Sequence, residues 1–132
     1  MTELNCVISP GAKLPVRPHE ADAGVELYAY ILENSKPGKL FILPDEIVTI
    51  STGVVVKLSQ GYAGLLLNTN NNAQLGLYLV NGVGLISSNF RENITVTFKN
   101  ISKNTHVIYW GHTLARLVVQ TAFLPKIIEA KQ

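Results

Sequence analysis

The amino-acid sequence predicts an all-β domain, and three observations carry that prediction. Short runs rich in β-branched and aromatic residues recur along the chain, and turn formers separate them. No window holds apolar residues at i, i+3, i+4 and i+7 for long enough to make an extended helix. At 132 residues the chain fits one domain, residues 1–132, large enough to bury a core and too short for two. Many short strands with regular turns suggest a sandwich, a jelly roll or a barrel.

Residues 47–50, 54–58, 64–67, 94–98 and 106–109 read as strands in chain order. Turns are expected at Pro37-Gly38, Pro44-Asp45, Gln60-Gly61, Asn81-Gly82 and Lys103-Asn104. Ile94, Val96 and Phe98 alternate with Thr95, Thr97 and Lys99, which predicts one buried and one wet face. The one short helix is expected at Asn72-Ala73-Gln74-Leu75, while Asn68-Thr69-Asn70-Asn71-Asn72 reads as a single polar loop. Leu114-Ala115-Arg116-Leu117-Val118-Val119 and Ile127-Ile128 make an apolar end that is either core strand or subunit contact. Trp110, just before Gly111, reads as a packing anchor at a turn.

Composition narrows the function classes. Hydrophobic residues make up 47% of the chain and charged ones 15%, which argues against disorder. The net charge is +2 with both signs interspersed, so the clustered Lys and Arg that duplex nucleic acid demands are missing. Lys99, Lys103, Lys126 and Lys131 read as solvated surface. Cys6 is the only cysteine, which leaves no intrachain disulfide and no cysteine-based metal site. His19, His106 and His112 lack ligand spacing with Cys, Asp or Glu, so no metal centre is expected. The N-terminus has no basic region followed by an apolar run, and no apolar stretch approaches the roughly 20 residues of a membrane span. A cytoplasmic protein without a membrane partner is therefore expected. On that reading the triplets Asn93-Ile94-Thr95 and Asn100-Ile101-Ser102 match the glycosylation pattern by chance.

The segment Asn81-Gly82-Val83-Gly84-Leu85-Ile86-Ser87-Ser88-Asn89-Phe90-Arg91 is the most informative in the chain. It resembles the third signature motif of the trimeric deoxyuridine triphosphatases (dUTPases), G-x-I-D-x-D-Y-R-G. Ala21-Asp22-Ala23-Gly24-Val25-Glu26-Leu27-Tyr28, after Leu14-Pro15-Val16-Arg17-Pro18, is similar to the first motif, A-G-x-D-L-Y, with Glu26 in place of Asp. Thr52-Gly53-Val54 and Gln60-Gly61-Tyr62-Ala63-Gly64 resemble the strand and turn before the second motif. Gly111-His112-Thr113-Leu114-Ala115-Arg116-Leu117-Val118 resembles the fourth, G-D-R-I-A-Q-L-I. The resemblance implies a distorted jelly roll, or β-clip barrel, assembled as a homotrimer with sites shared between subunits.

The departures concentrate on the water and phosphate side. Ser87 stands where the family has the Asp that activates the attacking water, so no catalytic residue is assigned. A serine hydroxyl needs an adjacent base to handle protons at neutral pH, and losing a general base costs ~10²–10⁴-fold in rate. The second motif, P-R-S-G, falls on Asn68-Thr69-Asn70-Asn71, which offers hydrogen bonds but no cation. Arg116 replaces the fourth-motif Gln and adds one. The glycine-rich arm that forms the fifth motif has no expected counterpart after Ala122-Phe123-Leu124-Pro125.

The base and sugar side departs less. The resemblance places Asn81, Gly82, Leu85, Ile86 and Phe90 around a uracil-type base and its deoxyribose, and Asn68, Thr69, Asn70, Asn71 and Arg116 beside phosphates. An Asn amide, with one donor and one acceptor face, suits the imide edge of uracil. Read without the family, Asn81-Gly82 is also a common hairpin turn, and Phe90 is also a core residue. No cofactor is expected, and Mg²⁺ only alongside a bound nucleotide phosphate. The leading expectation is a catalytically inactive binder, suited to a virus or phage that sequesters a nucleotide. The alternatives are a protein-interaction adaptor derived from the same fold, and a nucleotide hydrolase of altered specificity using Glu26 or a metal-bound water.

Overall fold

The computed structural model describes all residues, Met1–Gln132. They form thirteen strands and one short helix: β1 Asn5–Ile8, β2 Gly24–Tyr28, β3 Leu32–Glu33, β4 Lys36–Pro37, β5 Lys39–Ile42, β6 Ile47–Ser51, β7 Val54–Lys57, β8 Tyr62–Leu67, α1 Asn70–Gln74, β9 Leu77–Leu79, β10 Gly84–Ile86, β11 Thr95–Asn100, β12 His106–Tyr109 and β13 Thr113–Thr121. All pairings are antiparallel. The all-β, single-core prediction holds.

Two sheets matter most for the site. The four-stranded sheet runs β10-β8-β13-β2, and the three-stranded sheet runs β6-β11-β9. Two-stranded ribbons β1-β7, β12-β5 and β3-β4 complete the walls. The expected alternation in β11 is present: Ile94, Val96 and Phe98 are buried, while Thr95 and Lys99 are exposed. Phe98, Leu27, Ile42, Leu77 and Leu114 are among the side chains with no exposure, and they belong to one apolar cluster. Each such burial contributes about 1.5–3 kcal/mol against the entropy of ordering the chain.

The central strand β8 is covered on both edges, by β10 and β13. A Cβ at Gly64 would lie 2.8 Å from Leu117 Cδ1 and 3.3 Å from Ile86 Cβ. The missing side chain is what lets these strands approach. The apolar run after residue 113 therefore resolves as core in its first part. Leu114, Ala115 and Leu117 are buried in β13, whereas Phe123, Leu124, Ile127 and Ile128 stand exposed beyond it.

Three local expectations shift. The turn expected at Pro37-Gly38 lies earlier, at Asn34 and Ser35, whose φ values of 51° and 63° match the primed turn of a two-residue hairpin between β3 and β4. Pro37, expected in the turn, sits in the ribbon instead. The short helix begins two residues earlier than expected, because Thr69 caps it by accepting from the Asn72 backbone N–H at 3.1 Å. The polar stretch 68–72 is thus a cap and a first helical turn, not one loop.

Trp110 is half-buried, and its indole N–H donates to the Gly11 carbonyl at 2.9 Å, tying the turn before β13 to the N-terminal segment. Asn100 is fully buried and pins the 101–105 loop: its Nδ2 donates to the carbonyls of Ile42 and Asn104 at 2.9 and 2.8 Å. No buried side-chain nitrogen or oxygen lacks a partner.

Candidate functional site

A polar cleft forms where three sequence-distant segments meet on the four-stranded sheet. Arg116 sits on β13, opposite Glu26 of β2 on one side and Leu67 of β8 on the other. Strand β8 ends at Leu67, so the chain emerges beside Arg116 as Asn68-Thr69-Asn70-Asn71. The result is a cleft of about 480 Å³ lined by Glu26, Thr69, Asn70, Asn71, His112, Thr113 and Arg116, none of them hydrophobic. Arg116 also lines an adjoining hollow with Asn68 and Asp22. The residues expected on the phosphate side therefore gather around one guanidinium.

The electrostatics are balanced. Arg116 Nη2 lies 3.9 Å from Glu26 Oε2, and the Arg side chain is 52% exposed. Glu26 Oε1 accepts from the Tyr28 hydroxyl at 3.3 Å. Burial raises the Tyr28 phenol above its usual range, and the negative charge of Glu26 and the hydrogen bond to it add to the effect. Lys13 Nζ lies 3.9 Å above the Tyr28 ring.

His112 is the site residue that spacing arguments missed. It lacks neighbours in sequence that would mark it as a ligand, yet the turn before β13 carries it into the cleft. The one signal was its place in the fourth-motif resemblance, where the family has Asp. Its environment is well defined. Asn72 has no exposed surface, and its Nδ2 donates to the carbonyls of Thr113 and Leu114 at 3.0 and 3.1 Å. Asn72 Oδ1 is therefore the acceptor facing His112 Nε2 at 2.7 Å. The His112 proton is fixed on Nε2, which leaves Nδ1 bare in the neutral ring. Burial lowers the His112 pKa from its ordinary value of 6.5.

The hairpin residues lie elsewhere in the single chain. Asn81 is exposed and lines a shallow hollow with Leu66, Leu79, Val80, Thr95, Val96 and Thr97. Gly82 turns the hairpin at φ 72°. Leu85 points outward at 69% exposure, and it shares a larger hollow with Ser87, Asn89, Arg91, Tyr62 and Phe123. Ile86, one residue on, points into the core at 8%. Only its backbone is free to meet a ligand. Phe90 is half-buried and packs against the core cluster. None of these hairpin residues lines the Glu26–Arg116 cleft.

No three His, Cys, Asp or Glu side chains gather closely enough to cage a metal ion. The cleft offers one carboxylate, Glu26, already facing a guanidinium and a phenol. That set does not fit a resident Mg²⁺, which takes several oxygens and keeps waters or phosphates in its shell. No helix is long and apolar enough to cross a membrane.

A distorted jelly roll with this polar cleft on its central sheet defines a class, and comparison with known proteins gives the family. The dUTPase family model matches residues 11–132. The deoxyuridine 5'-triphosphate nucleotidohydrolase of Mycolicibacterium gilvum (strain PYR-GCK) is 33% identical over 124 residues, covering 92% of this chain and 76% of that protein. The enzyme of the same name from Mycobacterium leprae (strain Br4923) is 32% identical over 124 residues, with the same coverage. Among solved structures, the dUTPase from phage phi11 of S. aureus superposes with a TM-score of 0.85 at 22% identity, covering 98% of this chain and 97% of that one. A point mutant of the phage 80alpha dUTPase gives 0.86 at 20% identity, covering 100% and 98%. The likeness to these structures is one of fold. The chain belongs to the dUTPase family.

Proposed function

We propose that this chain binds a uracil-type nucleotide at subunit boundaries of a homotrimer and does not hydrolyse it. The observation that carries this reading is the split between cleft and hairpin. The cleft around Arg116 has no apolar lining and so suits phosphates, not a base. The base-reading candidates Asn81 and Phe90 line no part of it. A neighbouring copy that supplies one of the two sets would bring both to a single nucleotide. Members of the dUTPase family are typically homotrimers, which supports that arrangement.

Loss of hydrolysis rests on Ser87. The hairpin carries no carboxylate between Asn81 and Arg91, and Glu26, the only acid of the cleft, is engaged by Arg116 and Tyr28. The relatives named nucleotidohydrolases give the opposing reading, a hydrolase of altered specificity. Any Mg²⁺ would arrive with nucleotide phosphates, with Glu26 as its one protein carboxylate. A point mutant of the phage phi11 dUTPase is described with a structural Mg(II) ion, so the metal merits an arm in the test. Calorimetry against dUMP, dUTP and UTP, paired with pyrophosphate release with and without Mg²⁺, tests the proposal. Binding without release is expected; release above background, or flat traces for all three, overturns it.

The adaptor reading has its own support in exposed Phe123, Leu124, Ile127 and Ile128. Phage 80alpha dUTPases are described as controlling transfer of virulence genes, a property of those proteins. Asn81→Ala separates the two readings: it abolishes nucleotide binding under the first and spares partner binding under the second.

A further inference from the structure

We propose that His112 is an anion-contacting residue of the cleft, which takes up a proton from solvent when phosphates bind and so places a second positive charge beside Arg116. The inference deepens the nucleotide-binding reading and rests on it for the identity of the natural ligand.

The argument begins with charge. Among the side chains lining the cleft, Arg116 is positive and Glu26 negative, and they lie 3.9 Å apart. Their sum is zero, a poor match for a ligand carrying several negative charges. The residues from the 68–72 segment are Asn and Thr, which donate hydrogen bonds without charge. One other lining residue can change its charge near neutral pH, and that is His112.

Geometry makes the ring suited to this role. The buried Asn72 amide fixes the Nε2–H tautomer and anchors the ring to the backbone of β13. Protonation adds its hydrogen at Nδ1 and leaves the Nε2–H to Asn72 bond in place. The ring therefore gains a donor and a charge without reorganising its support. The ionisable side chains that line the cleft with it are Glu26 on β2 and Arg116 on β13, while α1, which holds the ring through Asn72, carries none. Without ligand, burial disfavours the protonated ring. A bound polyanion reverses that balance, because an opposite charge within a few ångströms favours the protonated form.

The sign follows from linkage. Binding raises the His112 pKa, so complex formation takes up a proton and tightens as pH falls. The gain reaches at most about tenfold per pH unit between the bound-state and free-state pKa values, and levels off below the lower one.

The test uses the full-length protein with two probes, dUTP and inorganic tripolyphosphate. Titration of the His112 ring by NMR is expected to show an upward pKa on adding either probe. Calorimetry of dUTP in buffers of different ionisation heat is expected to show proton uptake in the wild type that exceeds the uptake in His112→Gln. The comparison removes the titration of the terminal phosphate itself. If dUTP fails to bind while tripolyphosphate still moves the His112 titration, the nucleotide reading falls and this inference stands. If dUTP binds with equal proton uptake in both proteins and the His112 titration does not move, the inference falls and the nucleotide reading stands.

Discussion

Arg116 and Glu26 face each other across neighbouring strands β13 and β2, with Nη2 and Oε2 3.9 Å apart. The pair is placed by strand register, since each residue is the direct cross-strand partner of the other. Half of the Arg116 side chain is open to solvent, and a pair so exposed adds little to stability. Its position in a cleft without apolar lining leaves the guanidinium open to that cleft.

Arg116→Ala is therefore expected to change stability by less than about 1 kcal/mol. Its effect on dUTP binding should be larger, a loss of about 10–100-fold, the worth of one or two charge-assisted hydrogen bonds. Thermal melts and calorimetry on the same preparation separate the two effects. A variant that melts far below wild type while binding dUTP normally would contradict the assignment.

Asn72→Ala should behave in the opposite way. Asn72 has no exposed surface, donates to two β13 carbonyls and accepts from His112. Truncation removes the partner of the Thr113 and Leu114 carbonyls and of the His112 N–H, of which the Leu114 bond is fully buried, at an expected cost of about 1–3 kcal/mol. Urea unfolding measures it, and the midpoint should fall with little change in slope.

Much of this was legible in the sequence, and the remainder has physical causes. Strand runs with strong alternation, such as 94–98, can bury only one face, and Ile94, Val96 and Phe98 do so. The turn expected at Pro37-Gly38 falls instead at Asn34 and Ser35, which lack the proline or glycine of the strongest turn signals. Both nonetheless take positive φ. The family resemblance groups Asn68, Thr69, Asn70, Asn71 and Arg116, and the fold brings that segment and Arg116 to two adjoining hollows. His112 escaped because its partner Asn72 lies 40 residues away. No local spacing encodes that contact; it arises when α1 packs against the start of β13.

Gly53 gives a further check on the fold. Its φ is +66°, and a Cβ there would lie 2.8 Å from both Ala12 Cβ and Tyr30 Cγ. Gly53→Ala adds a left-handed backbone cost of about 1–2 kcal/mol to an overpacking cost of about 1–3 kcal/mol. A loss of about 2–5 kcal/mol in urea unfolding is expected from those two terms. A loss below about 1 kcal/mol would mean that the N-terminal turn does not pack on this strand connection as described.

The ligand-free protein should also lose stability as pH falls below neutral, in a way that His112→Gln removes. His112 has a folded-state pKa below its ordinary value of 6.5, because burial disfavours the charged ring. Well above pH 6.5 the ring is neutral in both folded and unfolded chains and contributes no slope. As pH drops through 6.5 the unfolded chain protonates first, so unfolding takes up a proton and stability declines. The decline ends below the folded-state pKa, where both states carry the charge. Melting temperatures of wild type and His112→Gln, measured from pH values above 6.5 to values below it, should therefore run parallel at the upper end and diverge at the lower. Saturating tripolyphosphate should weaken that decline in the wild type alone, because the occupied cleft favours the protonated ring. Parallel curves throughout, with and without the anion, would show that His112 keeps the same proton affinity in every state of the protein.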